Sequence, residues 1–511
     1  MRNLILLGLS IILMATVSCR MDFSTEPSQG NLEFSKDTVY LDTVFTNIGS
    51  STYRLKVYNR TDQAVTIPSI RLGRGSNSGY RLNVDGLPGQ SFENIDILAQ
   101  DSIFVFIETT LDYTEITEPL YIDDLLFDSG VNEQVVKLVT LVQDAHFLYP
   151  NKTNGIIETL TLDGEETELQ GRYLNDVELT FNDDKPYVVY GYMVVGTTDN
   201  QAKTLVMQAG TKVHFHANSG LIINPNSSLH IQGSINVEGQ PETEVVLEGD
   251  RLEPEYSDIP GQWGVIWLRN GSIHNQINYA TIKNGSIGLL VDGYTSTTIP
   301  TLDIKNTQLY NFAQFGIFAR LSNLNGKNLV FNNFGYSAFA GTQGGYYEFT
   351  HCTFANYWNG SVRSYPTVLV NNFYTEDQVN FIPFDLQKAS FTNCIIYGNN
   401  NIEMKLEKVD AGIFNYNFTN NLIRFNDTGN QYSSKPQYNF TDTTHYTGNI
   451  FNQTPDFKTE FISLNQMFIG QNSAGKAHAA VSGTTLVPLD ILGKTRANPA
   501  DIGAYEFVVF E

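Results

Sequence analysis

Residues 204–249, TLVMQAGTKVHFHANSGLIINPNSSLHIQGSINVEGQPETEVVLEG, alternate apolar and polar positions in short runs set between Gly, Asn and Pro. Val213 and Phe215 interleave with His214 and His216, Leu221 and Ile223 follow Gly220, and Leu229 and Ile231 follow Pro225, Asn226 and Ser227. Side chains on a strand change face at every residue, so each run buries one face. Strands this short bury too little surface alone, and stacking in a solenoid supplies the rest. The pattern predicts the opening turns of a right-handed parallel β-helix.

Further along, an apolar residue, a spacer and an Asn recur as Ile282-Lys283-Asn284, Leu309-Tyr310-Asn311, Val330-Phe331-Asn332, Phe354-Ala355-Asn356 and Ile396-Tyr397-Gly398-Asn399. The loose period of about 23 residues is a solenoid signature. Asn suits a tight corner because it tolerates left-handed backbone, and stacked Asn side chains can form a ladder. Cys352 and Cys394 are then expected about two turns of the solenoid apart, beyond disulfide reach, as buried thiols.

Before the solenoid the text changes. Strands of five to ten residues, such as YRLKVYNRT and IDILAQDSIFVFIETTL, alternate with turn clusters over residues 32–146, which predicts an antiparallel β-sandwich. Asp123, Asp124 and Asp128 lack the spacing of a cation loop and read as a solvated turn. Lys56-Val57-Tyr58-Asn59, Asp101-Ser102 leading into Ile103-Phe104-Val105, and the strand at 135–142 resemble immunoglobulin-like domains of the Hydin-like type. The domains of that family bind or space, and no catalytic set comes with the resemblance.

Ala209-Gly210-Thr211-Lys212-Val213-His214-Phe215, Leu229-His230-Ile231-Gln232-Gly233 and Gly261-Gln262-Trp263-Gly264-Val265-Ile266 resemble pectin-lyase-like β-helices of bacterial surface proteins. Asp501-Ile502-Gly503-Ala504-Tyr505-Glu506 is similar to the ending common on secreted members of that group. The resemblance implies an all-β chain: sandwich at 32–146, connector at 147–186, β-helix at 187–406, then irregular turns and a closing cap at 407–511. It leaves function open, because one coil serves lyases, hydrolases, adhesins and spacers. In the cap, Arg496 is expected to pair with Asp490, Asp501 or Glu506 while Tyr505 covers the core.

The N-terminus adds an address. Arg2, an apolar run over residues 4–17 and small residues before Cys19 describe a signal peptide over 1–18. Cys19 resembles the lipidated Cys of bacterial lipoproteins, with Thr16 where that motif most often has Leu, and residues 19–31 read as a lipidated tether. A membrane partner through Cys19 and an outer-membrane, surface-exposed location follow as expectations. The net charge of −23 over 511 residues excludes a nucleic-acid partner, whose phosphates need a basic surface. The same charge leaves Ca²⁺ binding open; no metal site is specified.

No catalytic set emerges. The hydrolase strings of pectin-degrading β-helices are absent, and Asn182-Asp183-Asp184 precedes the solenoid. His214 and His216 with His230 read as surface histidines, and Lys212, Arg320 and Arg363 are individually conceivable lyase bases. Two regions are expected to bind: the loop carrying Asp250, Glu253, Glu255 and Asp258, and the aromatic cluster Tyr336, Tyr346, Tyr347, Tyr357, Trp358 and Tyr365. Aromatic faces suit sugar rings and protein partners alike, and they also fill β-helix interiors. The leading expectation is a non-catalytic, lipid-anchored surface module for an envelope protein partner or a polysaccharide. The alternative is a polysaccharide lyase or glycoside hydrolase acting on an acidic polysaccharide.

Overall fold

The computed structural model describes residues 24–116, 118–458 and 465–510, so the expected signal peptide over 1–18 and Cys19 lie outside the described residues. The chain is almost entirely strand and divides into two compact units, the second running from Ala145 to Glu511.

In the first unit two sheets share one apolar core. One orders Thr25–Pro27, Ala64–Leu72, Leu120–Phe127, Gln134–Gln143 and Thr38–Phe45, with Ser91–Ile97 on the side of Ala64–Leu72. The other orders Glu33–Phe34, Tyr53–Tyr58, Ser102–Thr109, Tyr80–Val84 and Leu87–Gly89. Period-two alternation turns Leu55, Val57, Val105 and Ile107 from one sheet toward Leu125, Phe127, Val136 and Leu138 from the other. Asp123 and Asp128, expected in a solvated turn, are buried instead. Asp123 accepts from the Arg74 N–H at 3.1 Å and Asp128 from the Ser28 hydroxyl at 2.7 Å, so both tie strand ends together.

The second unit is a coil of three parallel ladders. One ladder stacks His146–Leu148, Tyr187–Val189, Lys212–Phe215 and Val245–Gly249. Another stacks Tyr192–Val195, Gly220–Ile223, Ile266–Leu268 and Ile287–Asp292. The third stacks Thr204–Gln208 and Ser228–Gln232 under the first half of Asn275–Lys283. In-register pairing puts like residues over like, so Val213, Leu247, Ile282, Leu309, Phe331, Phe354, Ile396 and Ile423 form one continuous inner stack. At roughly 25 cal/mol per Å², each fully buried Leu, Ile or Phe in that stack contributes about 2 kcal/mol before chain entropy is counted.

The coil starts earlier than its sequence signal. Gly171–Tyr173 and Thr180–Phe181, inside the expected connector, already pair with Tyr192–Val194 and Val206–Met207. Only two or three residues of each join the ladders, Gly171–Tyr173 as the end of the longer strand Glu165–Tyr173, too few to show the inner face by alternation. Turn lengths also vary. Thr353 pairs directly with Ile395, so Cys352 and Cys394 stand on neighbouring turns rather than two apart. Val368–Asn371 and Leu386–Thr392 stay in the coil, and between them the chain leaves it in an excursion that carries the hairpin Phe373–Tyr374 and Ile382–Pro383. Both thiols are free and buried.

Asparagines line the corners. Asn333 donates to Asn311 at 2.8 Å and Asn311 to Asn284 at 3.4 Å, and a second ladder runs from Asn328 through Asn306 to Asn278. Asn284, Asn306, Asn311, Asn328 and Asn333 all hold positive φ. In the third turn the corner residue is Asn333, one past the position the spacing predicts.

The C-terminal segment is not an end cap. Met467, Ile491, Ala504 and Tyr505 lie on the outward side chains of Val330 and Ala355, and Ile469 and Ile502 on those of Ile395 and Leu422. It is a strap across several turns of one face. Arg496 pairs with Glu506 at 3.2 Å and donates to Asn328 at 2.8 Å, pinning the strap to an asparagine ladder. The final turn is closed instead by an aromatic group of Phe425, Tyr438, Phe440, Tyr446 and Phe451.

Candidate binding cleft

Just past three successive strands of the first ladder the chain turns a corner, and each corner places one ring. The texts are His146-Phe147-Leu148-Tyr149, Tyr187-Val188-Val189-Tyr190 and Val213-His214-Phe215-His216. Register therefore superposes Tyr149, Tyr190 and His216. The Tyr149 and Tyr190 rings stack at 4.8 Å and 30°, and Tyr190 and His216 at 4.4 Å and 28°. Phe147 extends the column beside Tyr149 at 5.7 Å. Offset stacks of this kind add about 1 kcal/mol per pair beyond area burial.

The column forms one wall of a cleft with a volume of about 830 Å³, and Lys152, Ile157, Glu168, Leu169 and Gln170 form the other. In that second wall Lys152 and Ile157 come from the small hairpin of Lys152–Thr153 and Ile156–Ile157, and Glu168, Leu169 and Gln170 from the hairpin of Thr159–Leu162 and Glu165–Tyr173, whose Leu160 and Leu162 pack on Val194 and Ile222 of the coil. Gly191 lies between the walls at φ +67°, and a Cβ there would meet the Gln170 carbonyl oxygen at 2.6 Å. Any larger residue would push the hairpin away. Arg172 fixes the entry by donating to the Tyr149 carbonyl at 2.8 Å while gripping Glu178 with two bonds of 2.6 and 2.7 Å. That grip holds the Glu178 carboxyl below the usual range.

The polar groups have defined states. His216 donates from Nδ1 to Asp250 at 2.7 Å; its side chain is 46% exposed and that of Asp250 only 7%. Burial, then the nearby Asp250 carboxylate, pushes the Tyr190 phenol well up, and burial alone raises Tyr149. Both stay protonated at neutral pH and offer hydroxyl groups as donor and acceptor. The cleft thus joins a flat aromatic wall to hydroxyl, amide, carboxylate and ammonium groups, which suits a flat, hydroxyl-rich ligand. Sequence reading passed over Tyr149, Tyr190 and Glu168. The signal was present in the ring closing each of three aligned strand texts.

The expected binding residues do not converge. Tyr347 is fully buried and donates to the Gly344 carbonyl at 2.6 Å, as a core side chain. Tyr357 packs on Phe457, Trp358 bonds to Ser361, and Tyr346 packs edge-on against Tyr294. Tyr336 and Tyr365 alone of the six meet one another, at 4.7 Å beside Phe315. Glu253 is buried on Arg251, Glu255 is exposed, and Asp258 lies near the Lys283 charge. Asp250 belongs to the cleft column.

The histidines separate as well. His214, expected at the surface, is buried with Nδ1 on the Gly249 carbonyl, and His230 bonds to the His274 carbonyl. Among the described residues no group of three or more His, Cys, Asp or Glu is placed to hold a metal ion. Of the conceivable bases, Lys212 pairs with Glu242, Arg320 with Asp292, and Arg363 is buried against Glu403.

No protein-family model matches this chain, and no curated protein does. Among solved structures, the catalytic unit of a thermostable GH87 α-1,3-glucanase from Streptomyces thermodiastaticus aligns at 11% identity over 74% of this chain and 78% of its own, with a TM-score of 0.27. A GH87 α-1,3-glucanase catalytic domain in complex with nigerose aligns at 11% identity over 74% and 81%, with a TM-score of 0.16. A family 123 glycoside hydrolase from Clostridium perfringens aligns at 8% identity over 22% of this chain and 25% of its own, at 0.17. All three neighbours are glycoside hydrolases, and superpositions this loose carry no assignment.

Proposed function

We propose that this chain is a lipid-anchored surface protein of the outer membrane that binds a polysaccharide. In this reading the coil is a right-handed parallel β-helix of the pectin-lyase-like kind, the first unit is an immunoglobulin-like spacer, and Cys19 carries the lipid. The observation behind it is the Tyr149–Tyr190–His216 column facing Glu168, Gln170 and Lys152 across an open cleft. Pyranose rings lay their C–H faces on such walls while their hydroxyls take the polar groups opposite.

A second reading, turnover of the bound glycan, draws on one observation. His216 is held by the nearly buried Asp250 while it lines the cleft, which is how a general base is oriented. One experiment separates the two. Purified protein is titrated with a panel of neutral and acidic oligosaccharides, and the same mixtures are assayed for reducing ends and unsaturated products. Binding without product supports the first reading, and product formation abolished by His216→Ala supports the second. Tyr190→Ala should weaken binding about ten- to a hundred-fold in either case. If no glycan binds, or if Tyr190→Ala binds as well as the wild type, the cleft reading fails.

A further inference from the structure

The solvent side of one sheet in the first unit does not look like an ordinary wet surface. Strand Tyr53–Tyr58 turns Arg54, Lys56 and Tyr58 outward, and strand Ser102–Thr109 turns out Phe104 and Phe106. Register sets Lys56 beside Phe104 and Arg54 beside Phe106, with Arg81 one strand further on. The two Phe rings stack at 6.0 Å yet remain 40% and 38% exposed. Lys56 lies over both Tyr58 and Phe104, at 5.0 and 5.4 Å, and Arg60 lies 4.1 Å over Tyr58. Glu33 pairs with Arg60 and Glu108 with Arg81, whereas Arg54 and Lys56 have no ion-pair partner among the described residues. In a chain of net charge −23, a surplus of cations around exposed aromatic rings needs a reason.

The path of the chain suggests one. Strand Tyr53–Tyr58 runs into a turn over residues 59–63 and then into Ala64, whose partner is Thr25. Asn59 pins that turn by donating to Gln63, Ile97 and Leu98 carbonyls. Thr25 therefore lies at the same end of the unit as Tyr58 and Arg60. It also lies six residues after Cys19, which even fully extended spans only about 20 Å. Given the lipid anchor proposed above, on which this step rests, the basic aromatic face is kept next to a bilayer. Tyr and Phe rings flanked by Lys and Arg are what headgroup layers attract, through amphipathic burial and anionic charge.

We propose that the face formed by Arg54, Lys56, Tyr58, Phe104 and Phe106 docks onto the anionic headgroups of the membrane that holds Cys19. The test uses the full chain carrying Cys19→Ser, so that no acyl chain contributes. Binding is measured by flotation with phosphatidylcholine vesicles, with and without phosphatidylglycerol. The expected result is binding only to the anionic vesicles, weakened by salt, and reduced about ten-fold or more by the double change Arg54→Glu and Lys56→Glu. Phe104→Ser with Phe106→Ser should weaken it independently of salt, with near-ultraviolet circular dichroism reporting that each variant is folded. Equal binding to both vesicle types, no binding, or an unaffected double mutant overturns the proposal. Preference for soluble polyuronate over vesicles overturns it too, by giving the face to a polysaccharide. Lipid labelling of the wild-type chain reads the anchor separately, so failure of either idea is seen alone.

Discussion

Asp250 receives the Nδ1–H of His216 at 2.7 Å from the next turn of the coil, with its carboxylate almost out of solvent. The bond holds the imidazole stacked on Tyr190 and so completes the aromatic wall. Charge-assisted bonds of this kind contribute about 1.5–3 kcal/mol, mostly as orientation here. Asp250→Ala should lower affinity for the bound oligosaccharide about ten-fold while the thermal midpoint falls by only a few degrees. Titration calorimetry and a melting curve measure the two effects. Unchanged affinity would remove the imidazole from recognition.

Arg363, in the loop after Thr353–Asn356, and Glu403, just before the strand Met404–Glu407, form a pair with side chains 1% and 0% exposed. Glu403 also accepts from Thr367 N–H and hydroxyl, and Arg363 donates to the Tyr365 carbonyl at 2.6 Å. Removing one partner strands a charge in the interior, at a cost of about 3–5 kcal/mol. Arg363→Met should show that loss in urea unfolding, and Arg363→Met with Glu403→Met should recover most of it. A double mutant as unstable as the single one would mean that the pair's hydrogen bonds, not its charge balance, join the two loops.

His351 occupies a corner at φ +53°, in the column where Asn306, Asn328, Asn393 and Asn420 also hold positive φ. Its Nδ1 donates to the Gly503 carbonyl and its Nε2 accepts from the Asn393 amide, a set that only the neutral ring satisfies. Burial, then the charge of Arg496, pushes its pKa well below the usual value. The unfolded chain therefore binds the proton first. Stability is fully present above the unfolded value near 6.5 and is lost as pH falls from there toward the folded one. His351→Asn, which keeps the corner and the ladder, should flatten the stability–pH curve between about pH 6.5 and 5. Urea midpoints across that range test it; an unaltered slope would assign the acid sensitivity elsewhere, with His214 the first alternative because burial lowers it too.

The coil was legible wherever its strands are long enough to alternate. Val213–Phe215 and Leu229–Ile231 declare their inner faces, and Asn284 and Asn311 declare their corners. Gly171–Tyr173 and Thr180–Phe181 do not, since only two or three residues of each meet the coil and so few carry no period. Cys352 and Cys394 were misplaced because residue count measures coil turns only where nothing leaves the coil. The same limit hid the strap, whose Ile502 and Tyr505 read as apolar residues in search of a core but gave no sign of which face they cover. The cleft was missed for a different reason. Tyr149, Tyr190 and His216 are far apart in sequence and meet only through register, whereas the cluster at 336–365 is close in sequence and is dispersed between core, strap and solvent.

At Gly503 the backbone of the strap lies directly on the coil. Its N–H donates to the Asn393 carbonyl at 2.9 Å, its φ is +103°, and an added Cβ would lie 2.8 Å from Ile395 and 2.9 Å from the Thr353 hydroxyl. That hydroxyl donates nothing to the glycine; it accepts the next N–H, of Ala504, at 3.0 Å. Gly503→Ala should therefore cost about 2–4 kcal/mol through strained backbone and displacement of both neighbours. The strap has its own bonds, Ile491 N–H to the Ala504 carbonyl and Ile502 N–H to Gly475, whereas Val213, Leu247 and Ile282 belong to turns that precede the strands of Val330 and Ala355 on which the strap lies. Hydrogen exchange should accordingly quicken at Ile491, Ile502 and Val508 in the variant while Val213, Leu247 and Ile282 stay protected. Uniform quickening along the whole coil would mean that the strap and the coil open as one cooperative unit.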